Sequence, residues 1–426
     1  MSNKEKNAPV DAGMKVQINP EVLVWARESA GLSLSEAADL LKLTTSTRST
    51  SEEKLAAMEA GENNPTKNQL NAFANVYKRP LVTFYLATPP KKGQRGQDFR
   101  QTPDARSQRA NAMLDTLLRD VKARQEMVRD ILVDEDEFAA PDFIGSISVG
   151  DDIKVVAQRM SERLGFDYTD IGMRTGTPSA LFSKLRKAAE EAGVFVLVLG
   201  DLGSHHSSIP ASVFRGFAIS DSVAPFVVIN AKDARSARAF TLIHELVHLW
   251  LGQTGVSGNI STSTPHSEHS KIERFCNDVA GEFLLPEAYF RQAAIDFETN
   301  DLEAARECID SVAGRWSVSE AMVAYRFQRR GEISANVYQT LRDEYEQRWL
   351  ANLTRERETQ GGPNGHVTKQ FKLGNALVDV VYRGFRDKSL THTKAAALLG
   401  SKAVSVPKFM DFVEDVRRNQ RLNMAG

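Results

Sequence analysis

The sequence predicts an α+β chain that is mainly helical and divided into several domains, and three observations predict it. The chain has 426 residues, so at roughly 100 to 200 residues per domain it should hold two to four separate cores. Apolar residues recur at spacings of three and four over most of its length, the period of amphipathic helices. Short apolar runs suited to buried strands are confined to residues 194–229.

Composition bounds the function classes. Hydrophobic residues at 42% and charged residues at 26% fit a globular protein rather than a disordered one. Lys and Arg number 54 against 55 Asp and Glu, which excludes a wholly basic nucleic-acid coat and an acidic tail but leaves room for a local basic face. Cys276 and Cys308 are the only cysteines, too few for a secreted disulfide scaffold, and they point to a reducing compartment. The first residues are polar, and no run of 18 apolar residues occurs, so a cytoplasmic protein without a membrane anchor is expected.

The elements follow in order. Residues 1–14 carry charge and small residues without an apolar period and read as a disordered leader. Residues 15–88 read as a domain of short helices: Val22, Leu23, Ala26 and Ala30 begin the pattern, and Leu70, Phe73, Ala74 and Tyr77 end it. Gly31 stops one helix, Ser33 with Glu36 spells a capping box for the next, and Gly61 to Pro65 breaks the chain before Thr66. Residues 89–149 combine a Pro, Gly and charge-rich linker with a long charged helix over 105–135 and a second break at 141–150.

Residues 150–300 should form an α+β domain with helices over 153–164 and 180–192, a buried strand over 194–199 and a strand pair over 214–219 and 225–229. A helical module over 301–358 and a Gly/Pro/Asn linker over 359–365 precede a C-terminal helical domain, 366–426. There Ala395 to Leu399 repeats the A-A-x-L-L theme of Ala37 to Leu41, with Lys394, Lys402 and Lys408 nearby, a hint of a second helix-turn-helix-like unit. Arg417, Arg418 and Arg421 read as a solvated basic face.

Residues 234–252 carry the chemistry. With Asp233 as N-cap and Gly252 as stop, His244-Glu245-Leu246-Val247-His248 falls inside one helix. Positions i and i+4 lie about 40° apart around a helix, so both imidazoles can share one metal ion. Glu245 is turned further round, placed to handle a water beside the metal rather than to ligate it. That is the H-E-x-x-H zinc hydrolase arrangement. Its flanks, among them Leu242, Ile243, Leu246 and Leu249, are apolar nearly all round, and two buried imidazoles beside a carboxylate are costly unless something satisfies them.

A catalytic zinc needs a third protein ligand. The extended motif with a third histidine fails, because Leu251 and Thr254 occupy its Gly and His positions. Residues 272–286 form a second apolar-periodic helix in which Glu273 and Asn277 share a face. Glu273 is the favoured third ligand, with Asn277 hydrogen-bonding to a ligand from behind. Glu268, His266, His269 and Glu282 are the rivals. His266 and His269 fall in a polar loop over 258–270, and with Tyr289 they are candidate donors to a transition-state oxyanion. Glu282, nine residues after Glu273, faces the opposite side of that helix.

The run from Phe214 through Gly252, followed by Ile272 to Pro286, resembles the ImmA/IrrE family of metallopeptidases. The matching residues are Asn230, Phe240-Thr241, His244-Glu245, His248, Glu273, Asn277 and Leu284-Leu285-Pro286. Cys276 departs from the pattern, standing where the family usually carries alanine. The resemblance implies a zincin-like, gluzincin-type peptidase core with a small sheet, a Zn2+ ion and a cytoplasmic regulatory protein, often a repressor, as substrate. Zinc fits the ligand types, and manganese is also compatible with a His2Glu set. Glu245 would serve as general base and then pass its proton to the leaving amine. A substrate strand is expected to pair with the strand starting at Phe214 or with that over Phe226 to Asn230.

The N-terminal helices resemble an Xre/Cro-type helix-turn-helix, an all-α module. DNA is therefore a candidate partner, but Glu52, Glu53 and Glu59 stand against Lys54 alone in the segment that would read bases. Protein docking is the favoured role there. The competing reading of the chain is a DNA-binding regulator, or a toxin–antitoxin or phage-related adaptor, whose zinc domain senses or binds without cutting.

Overall fold

The computed structural model describes residues 17–43, 49–90, 97–98, 108–134, 140–166, 176–203, 207–257, 268–290, 298–358 and 364–425. The expected leader over 1–14, and most of the expected linkers over 88–97 and 359–365, lie outside them. The chain divides into two compact units, residues 1–94 with 103–118 and residues 95–102 with 119–426. It is mainly helical with one small sheet, an α+β layout.

The first unit contains α1 (Pro20–Ser29), α2 (Leu34–Leu40), α3 (Ser51–Glu59), α4 (Lys67–Val76) and a 3-10 turn, Leu81–Tyr85. Each of the four helices starts on a side-chain cap. Asn19 accepts from Glu21 N, and Ser33 with Glu36, Thr50 with Glu53 and Thr66 with Gln69 form reciprocal capping boxes. Such caps are worth roughly 1 kcal/mol apiece, which matters for helices of seven to ten residues. Leu23, Ala26, Leu55, Leu70, Phe73 and Phe84 are fully buried between them. Arg27 ties α1 to α3 through a bidentate bond to Glu59 at 2.8 and 2.9 Å, so Glu59 is spent on structure and only Glu52 and Glu53 of the three acids stand exposed on α3.

The sheet belongs to the second unit. Its strands are β1 (Gln97–Asp98), β2 (Phe195–Leu199), β3 (Gly216–Ile219), β4 (Phe226–Asn230) and β5 (Gly255–Ser257), in the order β1-β5-β3-β4-β2. β3 runs antiparallel to both β4 and β5, while β2 lies parallel to β4 and β1 parallel to β5. Around it come α5 (Gln108–Asp134), shared between the two units, then α6 (Ile153–Arg163), α7 (Pro178–Glu191), α8 (Arg238–Trp250) and α9 (Glu268–Leu284). The remaining helices are α10 (Glu287–Phe290), α11 (Leu302–Trp316), α12 (Glu320–Arg330), α13 (Ala335–Glu358), α14 (Gly365–Leu373), α15 (Asn375–Arg386), α16 (His392–Leu399) and α17 (Val406–Ala425). None of the described helices is long and apolar enough to cross a membrane.

α8 is buried from Ala239 to Trp250 because it packs on β3 and β4, on α7 and on α9 at once. This is why its sequence is apolar all round. Gly252 stops it in the left-handed region at φ 69°. Its N–H reaches Leu249 O while Gln253 N–H reaches His248 O, the paired bonds of a Schellman end. The expected N-cap is corrected: the helix starts at Arg238 behind Ala237, without a side-chain cap. Asp233 sits a turn earlier and accepts from Ala234 N at 3.0 Å and from Thr241 Oγ1 at 2.9 Å. The intervening residues form their own turn, closed by Ala237 N to Ala234 O.

Candidate metal centre

α8 and α9 bring three donor groups to one point. His244 Nε2 and His248 Nε2 are 3.2 Å apart, as the i and i+4 spacing requires. Glu273, from the middle of α9, places Oε2 3.5 Å from His244 Nε2 and Oε1 3.2 Å from His248 Nε2. Donors about 2.0 to 2.1 Å from a tetrahedral zinc lie roughly 3.3 Å from one another. The two imidazole nitrogens are spaced as two ligands of such an ion would be, and each carboxylate oxygen of Glu273 lies at a comparable distance from one of them.

The electrostatics suit a cation at that point. Burial pushes the Glu245 carboxyl up to about 8, helped by the negative charge of Glu273 and opposed by His248. Burial acts upward on Glu273 as well, but the two imidazoles outweigh it and hold that carboxyl at about 2. Among the described residues, His244 Nδ1 and both carboxylate oxygens of Glu245 make no well-formed hydrogen bond, with Ser257 the nearest hydroxyl to that carboxylate. Buried polar atoms in that state are costly in a native protein, and a divalent ion with its water is a partner of the right sign.

Glu245 is fully buried and points from α8 toward β3. Gly216 makes room for it: a Cβ there would lie 2.7 Å from Glu245 Oε1 and 2.9 Å from Thr241 Cγ2. The adjoining cavity measures about 30 Å³ and is lined by His244, Glu245, Glu273, Asn277, Thr241 and Ser257, with Arg215 also on its wall. That is room for one or two waters. Asn277 is buried and lines this cavity, yet the bare Nδ1 of His244 shows that the expected bond from behind is not made to that ligand.

The expected role of His266 falls outside the described residues. Other expected positions are corrected. His269 is not in a loop: α9 already begins at Glu268, and His269 is exposed on its first turn, away from the cavity lining. Glu268 is exposed beside it. Tyr289 lies on α10 with its ring 5.2 Å from that of Trp316 and is not on the cavity wall. Glu282 accepts from Arg326 at 2.8 Å and from Glu287 N at 2.9 Å, on the side of α9 away from the site.

The expected substrate strands fail for a topological reason. β3 is hydrogen-bonded to β4 and β5, and β4 to β3 and β2, so neither has a free edge. Phe214 precedes β3 and is fully buried; Phe226 stacks on Phe195 at 4.9 Å. Asn230 is internal too, donating to Phe214 O at 2.9 Å and Ile209 O at 3.2 Å. Its place in the motif reflects loop anchoring.

Sequence reasoning passed over Arg215 and Ser257 and read Cys276 only as a departure from the family pattern. Arg215 puts a cation on the cavity wall, Ser257 Oγ approaches His248 Nε2 to 3.4 Å, and Cys276 Sγ lies 3.8 Å from His248 Nδ1. Cys276 forms a buried cluster with the two histidines that is itself suggestive of metal binding. Its sulfur faces the ring nitrogen opposite the one shared with Glu273, and burial pushes its thiol well above the ordinary range. Glu273 thus lies on the Nε2 side of His248 and Cys276 on its Nδ1 side. Arg215, one residue before β3, carried no motif signal; its backbone bonds to Ser257 O and from Asn230 N seat it on the cavity wall.

Residues 198–328 match the family model Peptidase_M78, the IrrE N-terminal-like domain. That span holds β3, β4, α8, β5, α9 and α12, and hence all three donors and Glu245. The segment is therefore similar to the domain of a metallopeptidase family. No curated protein and no solved structure matches the chain.

Proposed function

We propose that the chain is a zinc-dependent endopeptidase with a zincin-like core, acting on a cytoplasmic regulatory protein of repressor type. The observation that supports it is the convergence of His244, His248 and Glu273 within 3.2 to 3.5 Å beside the buried carboxylate of Glu245, inside the segment similar to a peptidase family. When bound, the metal supplies Lewis acidity for the scissile carbonyl and for an attacking water. Manganese suits the same donors.

The chain's own residues do the rest. Glu245, desolvated and raised toward neutral pH, takes a proton from the attacking water and returns it to the leaving amine. Arg215, held at 3.3 Å by Asp233, replaces His269 and Tyr289 as the donor to the oxyanion. A substrate strand adds at the β5 edge by displacing β1, whose described residues Gln97 and Asp98 pair with Gly255 and Val256 next to the cavity-lining Ser257. The first unit is read as helix-turn-helix-like; the exposed Glu52 and Glu53 on α3 favour protein docking over phosphate contact.

The test is cleavage of candidate repressors by purified protein, with and without chelator, alongside metal analysis. We expect Glu245→Gln to keep its metal and lose cleavage, and His244→Ala with His248→Ala to lose both. Stoichiometric metal in wild type with no peptide bond broken in any repressor would instead favour a zinc domain that senses without cutting.

A further inference from the structure

A second cavity lies at the approach to α8, and none of its wall belongs to the metal cavity. It measures about 1090 Å³, the upper end of the range for small-molecule sites, so it takes a ligand much larger than a bare anion. Its walls differ in chemistry. Lys232, Arg235 and Arg238 line it from the turn leading into α8, while Phe182, Trp349 and Phe371 line it from α7, α13 and α14. Guanidinium groups match phosphate oxygens in pairs, and aromatic faces stack on planar rings.

Two acids share the lining, Asp233 and Glu346. Asp233 is already engaged by Thr241, Ala234 N and Arg215, so it offers little free charge to repel an anion. Glu346 stands one turn before Trp349 on α13, where an acceptor suits sugar hydroxyls or a ring amine.

We propose that this cavity binds a nucleoside phosphate, with the phosphate on the Lys232, Arg235 and Arg238 wall and the base against Trp349 and Phe371. Asp233 stands between the two cavities: it faces this one, and it holds Thr241 and Arg215, which face the metal site. Occupancy is therefore expected to change the rate of peptide cleavage. The binding claim stands without the peptidase reading, and only the effect on rate rests on it.

Isothermal titration of the full-length protein with AMP, GMP and UMP, against inorganic phosphate and adenosine alone, tests the proposal. The expected result is that one nucleotide binds at least about tenfold more tightly than phosphate or adenosine. Arg235→Glu, Trp349→Ala and Phe371→Ala should each weaken it about tenfold, with melting temperature and metal content unchanged. Three results would overturn it: no saturable nucleotide binding up to about 1 mM, phosphate binding equal to nucleotide and indifferent to Trp349→Ala, or capture of an acidic aromatic peptide with no nucleotide. A cleavage rate unmoved by a nucleotide that does bind would overturn the link through Asp233.

Discussion

At the scale of single residues, Gly216 sets where Glu245, the proposed general base, stands. A methyl group at this position would meet the Glu245 carboxylate and Thr241 at less than 3.0 Å, a distance that neither the strand nor the buried helix can relieve cheaply. Gly216→Ala should therefore keep the metal while lowering kcat about tenfold or more, since a displacement near 1 Å at the chemistry costs that much. Metal analysis beside steady-state kinetics checks the split. Glu245 itself makes a second prediction, for metal-free protein. Its folded carboxyl titrates at about 8 against an ordinary 4.5, so the folded state holds a proton that the unfolded chain has released between those values. Stability should fall as pH rises through that window, and Glu245→Gln should flatten the slope in a melting-temperature series on chelated protein. The pairing of His244 with His248 was legible from the helix period, whereas Glu273 was favoured among several rivals, and it is the packing of α9 on α8 that brings its carboxylate to within 3.2 and 3.5 Å of them. Arg215 and Ser257 were not legible, because their nearness to the site arises from sheet pairing between distant segments.

At the scale of elements, helices were read more reliably than edges. Ser33 with Glu36 advertised its capping box in the sequence and forms it, and Gly252 ends α8 as its conformational freedom suggests. Asp233 misled because the sequence shows a good cap but not the extra turn that separates it from the helix. β2, β3 and β4 were visible in the apolar runs, but β1 and β5 were not, nor was strand order: nothing local says that β5, three residues long, flanks β3 and closes it to a substrate. β5 is itself paired to β1 through Gln97 and Asp98. If a substrate strand takes that edge, Gln97→Pro with Asp98→Pro, which remove the backbone donors of β1, should raise kcat/KM for a peptide substrate. A fall in kcat/KM would make β1 part of the scaffold instead.

At the scale of the whole molecule, the period of the apolar residues pointed to the α+β class and the helical excess, and the division into two compact units follows from a chain too long for one core. The C-terminal helices, which sequence reading treated as a separate domain, are bound to the sheet. Arg186 of α7, buried and paired with Glu190 at 3.2 Å, donates to Phe371 O at the end of α14 and to Val196 O on β2. Gly374, between α14 and α15, lies so close to β2 that a Cβ would meet Val196 O at 2.6 Å. β2 is the last strand on that side of the sheet. A protein ending at residue 363 would thus uncover a flat run of Phe, Val and Leu with unsatisfied backbone groups, ready to recruit the same strand from another molecule. Such a truncation should sediment as aggregates whether or not its metal ligands are intact, so the last sixty or so residues act as a guard against self-association as much as an independent module.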